Sequence, residues 1–402
     1  MLNSHPIQYF APLYSYLNSA EAGIEVNALY LSDVSTRGAK DADFGREVKW
    51  DIDLVEGYPA VFLGERAHLR VPGGFWSLIA PEIWRELRSR RYDVLWLHGH
   101  NYAANLIALA AAKSIGMPVL MRGETHLALP RTGAKAVVRR PLIGALYATC
   151  DRLLAIGSAN AAFYRAMGVP DHKLFLVPYT VDNQRFMKAA EFTPVQKMEA
   201  RQQYGIRIGV PAILYAAKFS RRKRPFDLLY AAQRLKRESC FDFTLVMAGS
   251  GELEGELRTF CVENHIDNVV FPGFINQSSL PSLYAASDVF VLPSESEPWG
   301  LAVNEAMCAG LPIVAAKEIG CVPDLVEHGA NGYTPAAGDV DGLVSALRIL
   351  LGDEGARRRM GQASLIRISR WSYRECLEGI CAALASLGYA TTVQPDHCSR
   401  VA

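Results

Sequence analysis

The chain has 402 residues, of which 50% are hydrophobic and 21% charged, with a formal net charge of +1. That composition excludes an intrinsically disordered protein, and the length exceeds one ordinary core, so two domains are expected. The near-zero charge excludes the basic footprint of a nucleic-acid binder, and no uncharged apolar stretch reaches the roughly 20 residues needed to span a bilayer.

Eight cysteines lie between Cys150 and Cys398 without a C-x-x-C pair, and no His spacing around them suits a metal. Reduced thiols, a cytoplasmic location, no resident cofactor and no metal are therefore expected. The N-terminus lacks the basic-then-apolar pattern of a secretory signal.

In chain order, short apolar runs alternate with longer amphipathic segments, the pattern of βα units on a parallel sheet. Asn3-Ser4-His5-Pro6 reads as a strand-to-helix loop, so the first strand is either two or three residues long or cut by the chain start. A helix over 10–17 follows. Strands are predicted over 25–31, 93–98, 118–122, 152–156 and 174–178, with helices over 78–90, 102–115, 136–148 and 158–167. The polar stretch 182–209 breaks the rhythm and holds one helical patch at 195–204, which places a domain boundary near residue 190. Strands resume over 212–216, 243–248, 268–271, 288–292, 312–315 and 332–334. Helices are predicted over 225–237, 254–263, 279–286, 300–309 and 342–351. The expected fold is α/β, two Rossmann-like βαβ domains (1–190 and 191–370) facing each other across a cleft. Residues 391–402 have no periodicity and are expected to be disordered.

Ligands of open parallel sheets bind beyond the carboxyl ends of the strands, so chemistry is sought there. After strand 288–292 a polar loop with Glu295, Glu297 and Pro298 runs into a helix that begins near Gly300 and stops at Gly310 and Pro312. The amides of Gly300, Leu301 and Ala302 make an anion site suited to a diphosphate. Glu297 and Glu305 are placed to accept hydrogen bonds from sugar hydroxyls, or else to cap the helix and face solvent. After strand 212–216, Lys218 and the run Arg221 to Arg224 are either solvated surface or a cationic clamp for a departing diphosphate. Gly249 and Gly251 follow strand 243–248 and permit close backbone approach. In the first half the strand-end residues are His98, Asn101, Arg122, Glu124 and His126, with His5 and Gln8 on another candidate loop.

These residues together resemble the glycosyltransferase family 4 group with the GT-B fold, over most of 150–375. Lys218 and Lys223 fall on the positions of its basic pair on the donor diphosphate. Glu297 and Glu305 match its paired glutamates, the first implied to contact the donor sugar and the second the ribose. Pro272-Gly273-Phe274 resembles the segment that receives the base. Trp371-Ser372-Tyr373 resembles the start of a last helix (371–390) that crosses back to the first domain. Ser4-His5-Pro6-Ile7-Gln8-Tyr9 looks like the first loop of one subgroup. The resemblance implies a nucleotide-sugar donor, UDP ahead of GDP, a saccharide or lipid-linked acceptor, and transfer with retention without metal. Either Glu124 or His126 fills the role near the transferred sugar. Where the family carries Gly-Gly then Glu, this chain has Gly320-Cys321-Val322-Pro323-Asp324.

Two other readings use the same architecture: a nucleotide-sugar epimerase, with His98, Glu124 and His126 as its acid/base groups, and a non-catalytic sugar-binding protein. Arg131, Lys135, Arg139 and Arg140, leading into an apolar helix, are either the basic edge of an ordinary amphipathic helix or a peripheral contact with the cytoplasmic face of the inner membrane.

Overall fold

The computed structural model describes residues 1–20, 22–41, 45–64, 67–89, 91–129, 134–238 and 241–393. It divides into two units. One comprises Met1–Ala39, Ile52–Thr180 and Trp371–Ala402, the other Lys40–Asp51 and Val181–Arg370.

The first part of the chain runs β1 (Leu2–Asn3), α1 (Ala11–Ser19), β2 (Ala28–Tyr30), α2 (Val34–Arg37), then the ribbon β3 (Ala39–Asp41) and β4 (Arg46–Val48). It continues with β5 (Ala60–Phe62), α3 (Glu82–Arg88), β6 (Leu95–His98), α4 (Ala103–Ser114) and β7 (Val119–Arg122). Next come α5 (Ala134–Thr149), β8 (Arg152–Ala155), α6 (Ser158–Ala166) and β9 (Leu174–Leu176). The first unit is built on a parallel sheet in the order β5-β2-β1-β6-β7-β8-β9. Its central strands are continuous apolar runs because both faces are covered: Leu95, Leu97, Val119 and Met121 join the core. The alanines of α4 (Ala104, Ala108, Ala111, Ala112) let that helix lie close on the sheet and are fully buried. β1 has two residues, yet it pairs with β2 (Leu2 with Leu29, Asn3 with Tyr30) and with β6 (Leu2 with Leu97). β5 has no counterpart among the predicted strands: it is three residues long, half-exposed and at the sheet edge.

The second part runs α7 (Asn183–Ala190), α8 (Pro194–Gln203), β10 (Ala212–Ala216), α9 (Pro225–Arg237), β11 (Thr244–Ala248), α10 (Glu254–Glu263) and β12 (Val269–Gly273). It continues with α11 (Leu280–Ala285), β13 (Val289–Leu292), α12 (Leu301–Cys308), β14 (Ile313–Ala315), α13 (Val322–Leu325) and β15 (Gly332–Tyr333). Two helices, α14 (Val340–Gly352) and α15 (Glu354–Ile368), complete it. Its parallel sheet has the order β12-β11-β10-β13-β14-β15. Ala216 pairs with Ala248, Ala248 with Gly273, and Leu292 with Ala315, so the carboxyl ends of these strands emerge along one edge.

The units part at Thr180–Val181, earlier than residue 190. The physical reason is that 182–209 is not a linker. Asp182 caps α7 by accepting from the Arg185 amide, Thr193 and Gln196 form a capping box on α8, and α7 packs on α11 and α12. The last helix, α16 (Tyr373–Ala385), belongs to the first unit. It opens with a capping box of Ser372 and Glu375 and lies on β8 and β9. Gly379 makes that approach possible, since a Cβ there would run into the Leu176 carbonyl. Residues 394–402, most of the predicted tail, lie outside the described residues. Among the described residues no helix is long and apolar enough to cross a membrane.

Asp288, just before β13, fastens this sheet to α8. It accepts from the Ala212 amide at 2.7 Å and Lys197 Nζ at 2.8 Å, and pairs with Arg201. Burial raises its pKa, but the two cations outweigh burial and hold the carboxyl below the ordinary range. A depressed folded pKa stabilises the fold above the unfolded value and ceases to do so as pH falls through the folded one. Asp288→Asn should therefore cost about 3 kcal/mol near neutrality, and the gap to wild type should shrink below about pH 4. Denaturant unfolding across pH checks both.

Candidate active site

At the edge where β10, β11 and β13 end, three loops are locked to one another before any ligand is considered. The Phe219 amide donates to Ser250 O (2.9 Å), Leu253 to Phe219 O (3.0 Å) and Glu295 to Arg222 O (3.0 Å). Gly249 and Gly251 take φ of +145° and +154°. A Cβ on Gly249 would collide with the Ala217 carbonyl, and one on Gly251 with the Phe219 backbone. The close approach these glycines permit is thus to the neighbouring loop.

The basic run is largely engaged. Arg224, in the left-handed region at φ +51°, bridges Asp227 (2.6 Å) and Glu295 (3.1 Å). Lys223 Nζ pairs with Glu297 Oε2, and the two side chains are only 12% and 17% exposed. The Tyr215 hydroxyl, buried below, donates to Lys218 O at 3.0 Å. Burial, then the negative charge of Glu297, raises its pKa far above the ordinary value. The Cys321 thiol is raised by burial and next by Glu297. The segment that departs from the family pattern holds this loop: the Gly320 amide donates to Glu297 O (3.2 Å) and Cys321 to Trp299 O (2.9 Å).

Gly300, at φ +99°, opens α12, and a Cβ there would press on Ile319. The first amides of α12 have no partner within the helix, which leaves an anion-binding end beside Lys223 and Glu297. Glu305 does not face solvent. It is 2% exposed, and the Tyr284 hydroxyl donates to its Oε2 at 2.7 Å.

β12 leads into Phe274, and here the sequence analysis missed a contribution. Arg46 and Trp50, from the ribbon segment, pack on the Phe274 ring at 5.3 and 6.1 Å. Asn276 donates to Lys49 O (2.8 Å), and the Ser278 amide to Asp51 Oδ1 (3.0 Å). No local signal marks Trp50 for this role, because its partner lies more than two hundred residues away in sequence.

In the first unit, the ends of β6 and β7 bring His98 and Arg122 together. Asn3 Nδ2 donates to the Tyr14 hydroxyl (3.0 Å), which in turn meets His98 Nε2 at 3.1 Å. This contact ties Tyr14 on α1 to the end of β6. Burial, then the Arg122 charge, keeps His98 neutral. Arg122 is 2% exposed, lies over the rings of Phe10 (5.2 Å) and Tyr179 (4.7 Å), and its Nε and Nη1 have no hydrogen-bond partner among the described residues. Tyr164 accepts from the Gly123 amide (2.6 Å) and Asn160 donates to Thr125 O (2.7 Å). Held this way, segment 122–126 buries His126 and leaves Glu124 half-buried. His5, its pKa lowered to about 4 by burial, bonds Ser4 at 2.9 Å. Gln8 is half-buried and Asn101 exposed. Among the described residues no group of His, Cys, Asp and Glu is arranged to hold a metal ion.

Both units are thus parallel α/β folds, and the second carries Lys223, Glu297, Glu305 and the N-terminus of α12 at its strand ends. The model of the glycosyl transferases group 1 family matches residues 196–366, and that of the glycosyl transferase 4-like domain matches 8–180. The chain belongs to the family 4 type of glycosyltransferase and is a transferase. It is 29% identical to the D-inositol 3-phosphate glycosyltransferase of Pseudarthrobacter chlorophenolicus over 75% of this chain and 73% of that protein. It is 28% identical to the sulfoquinovosyl transferase of Arabidopsis thaliana, covering 86% and 69%. HepE of Anabaena, solved in complex with UDP and glucose, has the same GT-B fold, with a TM-score of 0.73 at 18% identity over 96% of this chain and 98% of that one.

Tyr284→Phe removes a donor from a buried carboxylate and should cost about 2 kcal/mol, read as a lower denaturant midpoint. His98 should stay neutral between about pH 5 and 8, so its ring ¹⁵N shifts should not titrate there.

Proposed function

We propose that this protein is a retaining, metal-independent glycosyltransferase. It moves a sugar from a nucleoside-diphosphate donor, UDP ahead of GDP, to a hydroxyl of a saccharide or lipid-linked acceptor. One observation carries this reading: Lys223, Glu297, Glu305 and the N-terminus of α12 converge at the ends of adjacent strands. Lys218, Lys223 and the α12 amides of Gly300 and Leu301 would take the diphosphate, Glu297 a sugar hydroxyl and Glu305 the ribose. The base would lie at Gly273–Phe274. HepE, with UDP and glucose bound, supports a UDP-sugar donor, and the D-inositol 3-phosphate glycosyltransferase supports transfer to a hydroxylated acceptor.

In the reaction, the acceptor oxygen bonds to the anomeric carbon on the face from which the diphosphate leaves. The bond from that carbon to the phosphate oxygen breaks. The acceptor's proton passes to a donor phosphate oxygen, and the lysines and helix amides stabilise the growing negative charge. A separate carboxylate nucleophile is not needed, because both glutamates hold the donor. His98, held neutral, is assigned to the acceptor side. Glu124 and His126 are assigned to the neighbourhood of the transferred sugar, with His5, Gln8, Asn101 and Arg122 on the acceptor side. The setting is the cytoplasm, at the inner face of the membrane.

Calorimetry with UDP and GDP in metal-free buffer tests the donor half. Wild type should bind UDP, and Glu305→Ala should weaken binding by about tenfold or more. Binding of neither nucleotide would overturn the assignment. NMR of the product should show the donor's anomeric configuration in the presence of EDTA. Loss of activity in EDTA with recovery in Mn²⁺ would refute metal independence, and conversion of the donor with no acceptor present would indicate an epimerase.

A further inference from the structure

The first unit hides most of its large apolar side chains, but one stretch does the opposite. Leu69, Val71, Trp76 and Ile79 are 67, 62, 71 and 44% exposed, and Phe75 and Trp84 are 38 and 37% exposed. Single exposed apolar residues are ordinary on any protein, whereas a run containing two tryptophans marks an interaction surface.

Local structure gathers them on one side. Arg70, its side chain 9% exposed, donates to both oxygens of Glu82 at 3.1 Å and to Leu63 O at 2.6 Å. This fixes Leu69 and Val71 beside the first turn of α3. The Ser77 amide donates to Gly74 O (2.9 Å), closing a turn that holds out Phe75 and Trp76, whose rings meet edge to face at 4.8 Å. The Ala103 amide donates to Phe75 O (2.8 Å), so this turn sits on the start of α4, immediately after Asn101.

Charge then selects the partner. α3 buries Ile83 and Leu87 and exposes Trp84, Arg85 and Arg88. Its carboxylates are already engaged, Glu82 by Arg70 and Glu86 by Arg91 and Tyr92. Arg85 and Arg88 have no ion pair among the described residues. An aromatic and aliphatic surface bordered by unpaired guanidinium groups complements the interface of an anionic bilayer, where tryptophan lies at headgroup depth and arginine meets lipid phosphate. We infer that residues 69–79 and the exposed face of α3 dock the first unit on an anionic lipid surface, with Trp76 as the principal anchor. The placement beside Asn101 serves a lipid-linked acceptor, and to that extent it rests on the reading above.

The full chain is sedimented with phosphatidylcholine vesicles, with and without phosphatidylglycerol, at low and high salt. Beside it run the variants Leu69→Ser/Val71→Ser/Trp76→Ser and Arg85→Gln/Arg88→Gln. Wild type should partition onto phosphatidylglycerol vesicles at low salt. The triple variant should lose at least about tenfold in partitioning, and the arginine pair should lose the lipid and salt dependence. A thermal melt matching wild type shows that the triple variant is folded, and its UDP calorimetry reports the donor reading separately. Docking is overturned if wild type stays in the supernatant or the triple variant sediments like wild type. It is also overturned if light scattering shows a wild-type dimer that the triple variant converts to monomer, which would assign the surface to a second copy.

Discussion

A carboxylate removed from water must be given donors or a counter-charge, and two carboxylates at the strand ends of the second unit meet that demand in different ways. Glu297 is met by Lys223, which arrives on the loop after β10, and Glu305 by Tyr284, which arrives on α11. Each solution draws in further structure. Lys223 reaches Glu297 only if the loops after β10 and β13 are fixed, which the bond from the Glu295 amide to Arg222 O and the Arg224–Glu295 pair achieve. Those loops in turn pack on the loop after β11 only because Gly249 and Gly251 lack side chains. The three loops are therefore fixed by the protein's own contacts. The Lys223–Glu297 pair gives each charge a partner.

How much of this the sequence reveals depends on whether the cause is local. β10, β11, β13 and β14 are apolar on both faces, so continuous runs mark them. α9 is announced by Pro225 at its first position, and β1 is readable from the loop at Asn3–Pro6 that must follow a strand. Glu297 and Glu305 stand out by their place after β13. Spacing alone, however, left Glu305 either facing solvent or binding, because its burial is decided by Tyr284 on another element. The ribbon at 39–48 was missed for the same reason: Arg46 and Trp50 acquire meaning only against Phe274. α7 was missed because its face against α11 and α12 is supplied by few residues, chiefly Phe186 and Ala189, in a polar sequence.

Exposure is the property a sequence conceals most thoroughly. Leu69, Val71, Trp76 and Ile79 would pass for core in any hydropathy reading, and only the fold shows them outside. Of the basic segment 131–147, residues 131–133 lie outside the described residues, while Arg140 bonds Ala166 O at 2.9 Å and so serves the unit's own structure. A run of cations is thus a weaker pointer to a membrane than apolar side chains that the fold has failed to bury.

The first unit applies the same accounting to a cation. Arg122 lies among Phe10, Tyr179 and the neutral ring of His98, where flat π faces take the place of a carboxylate and leave Nε and Nη1 unsatisfied. A fixed positive charge next to an imidazole opposes its protonation. The contacts Asn3–Tyr14 and Tyr14–His98 hold the ring in place. Burial and charge together keep the His98 ring neutral. In the proposed reaction, a neutral imidazole on the acceptor side leaves the acceptor's proton to be taken by something more negative. In a transfer that expels a diphosphate, the most negative group near the reacting carbon is the leaving phosphate itself.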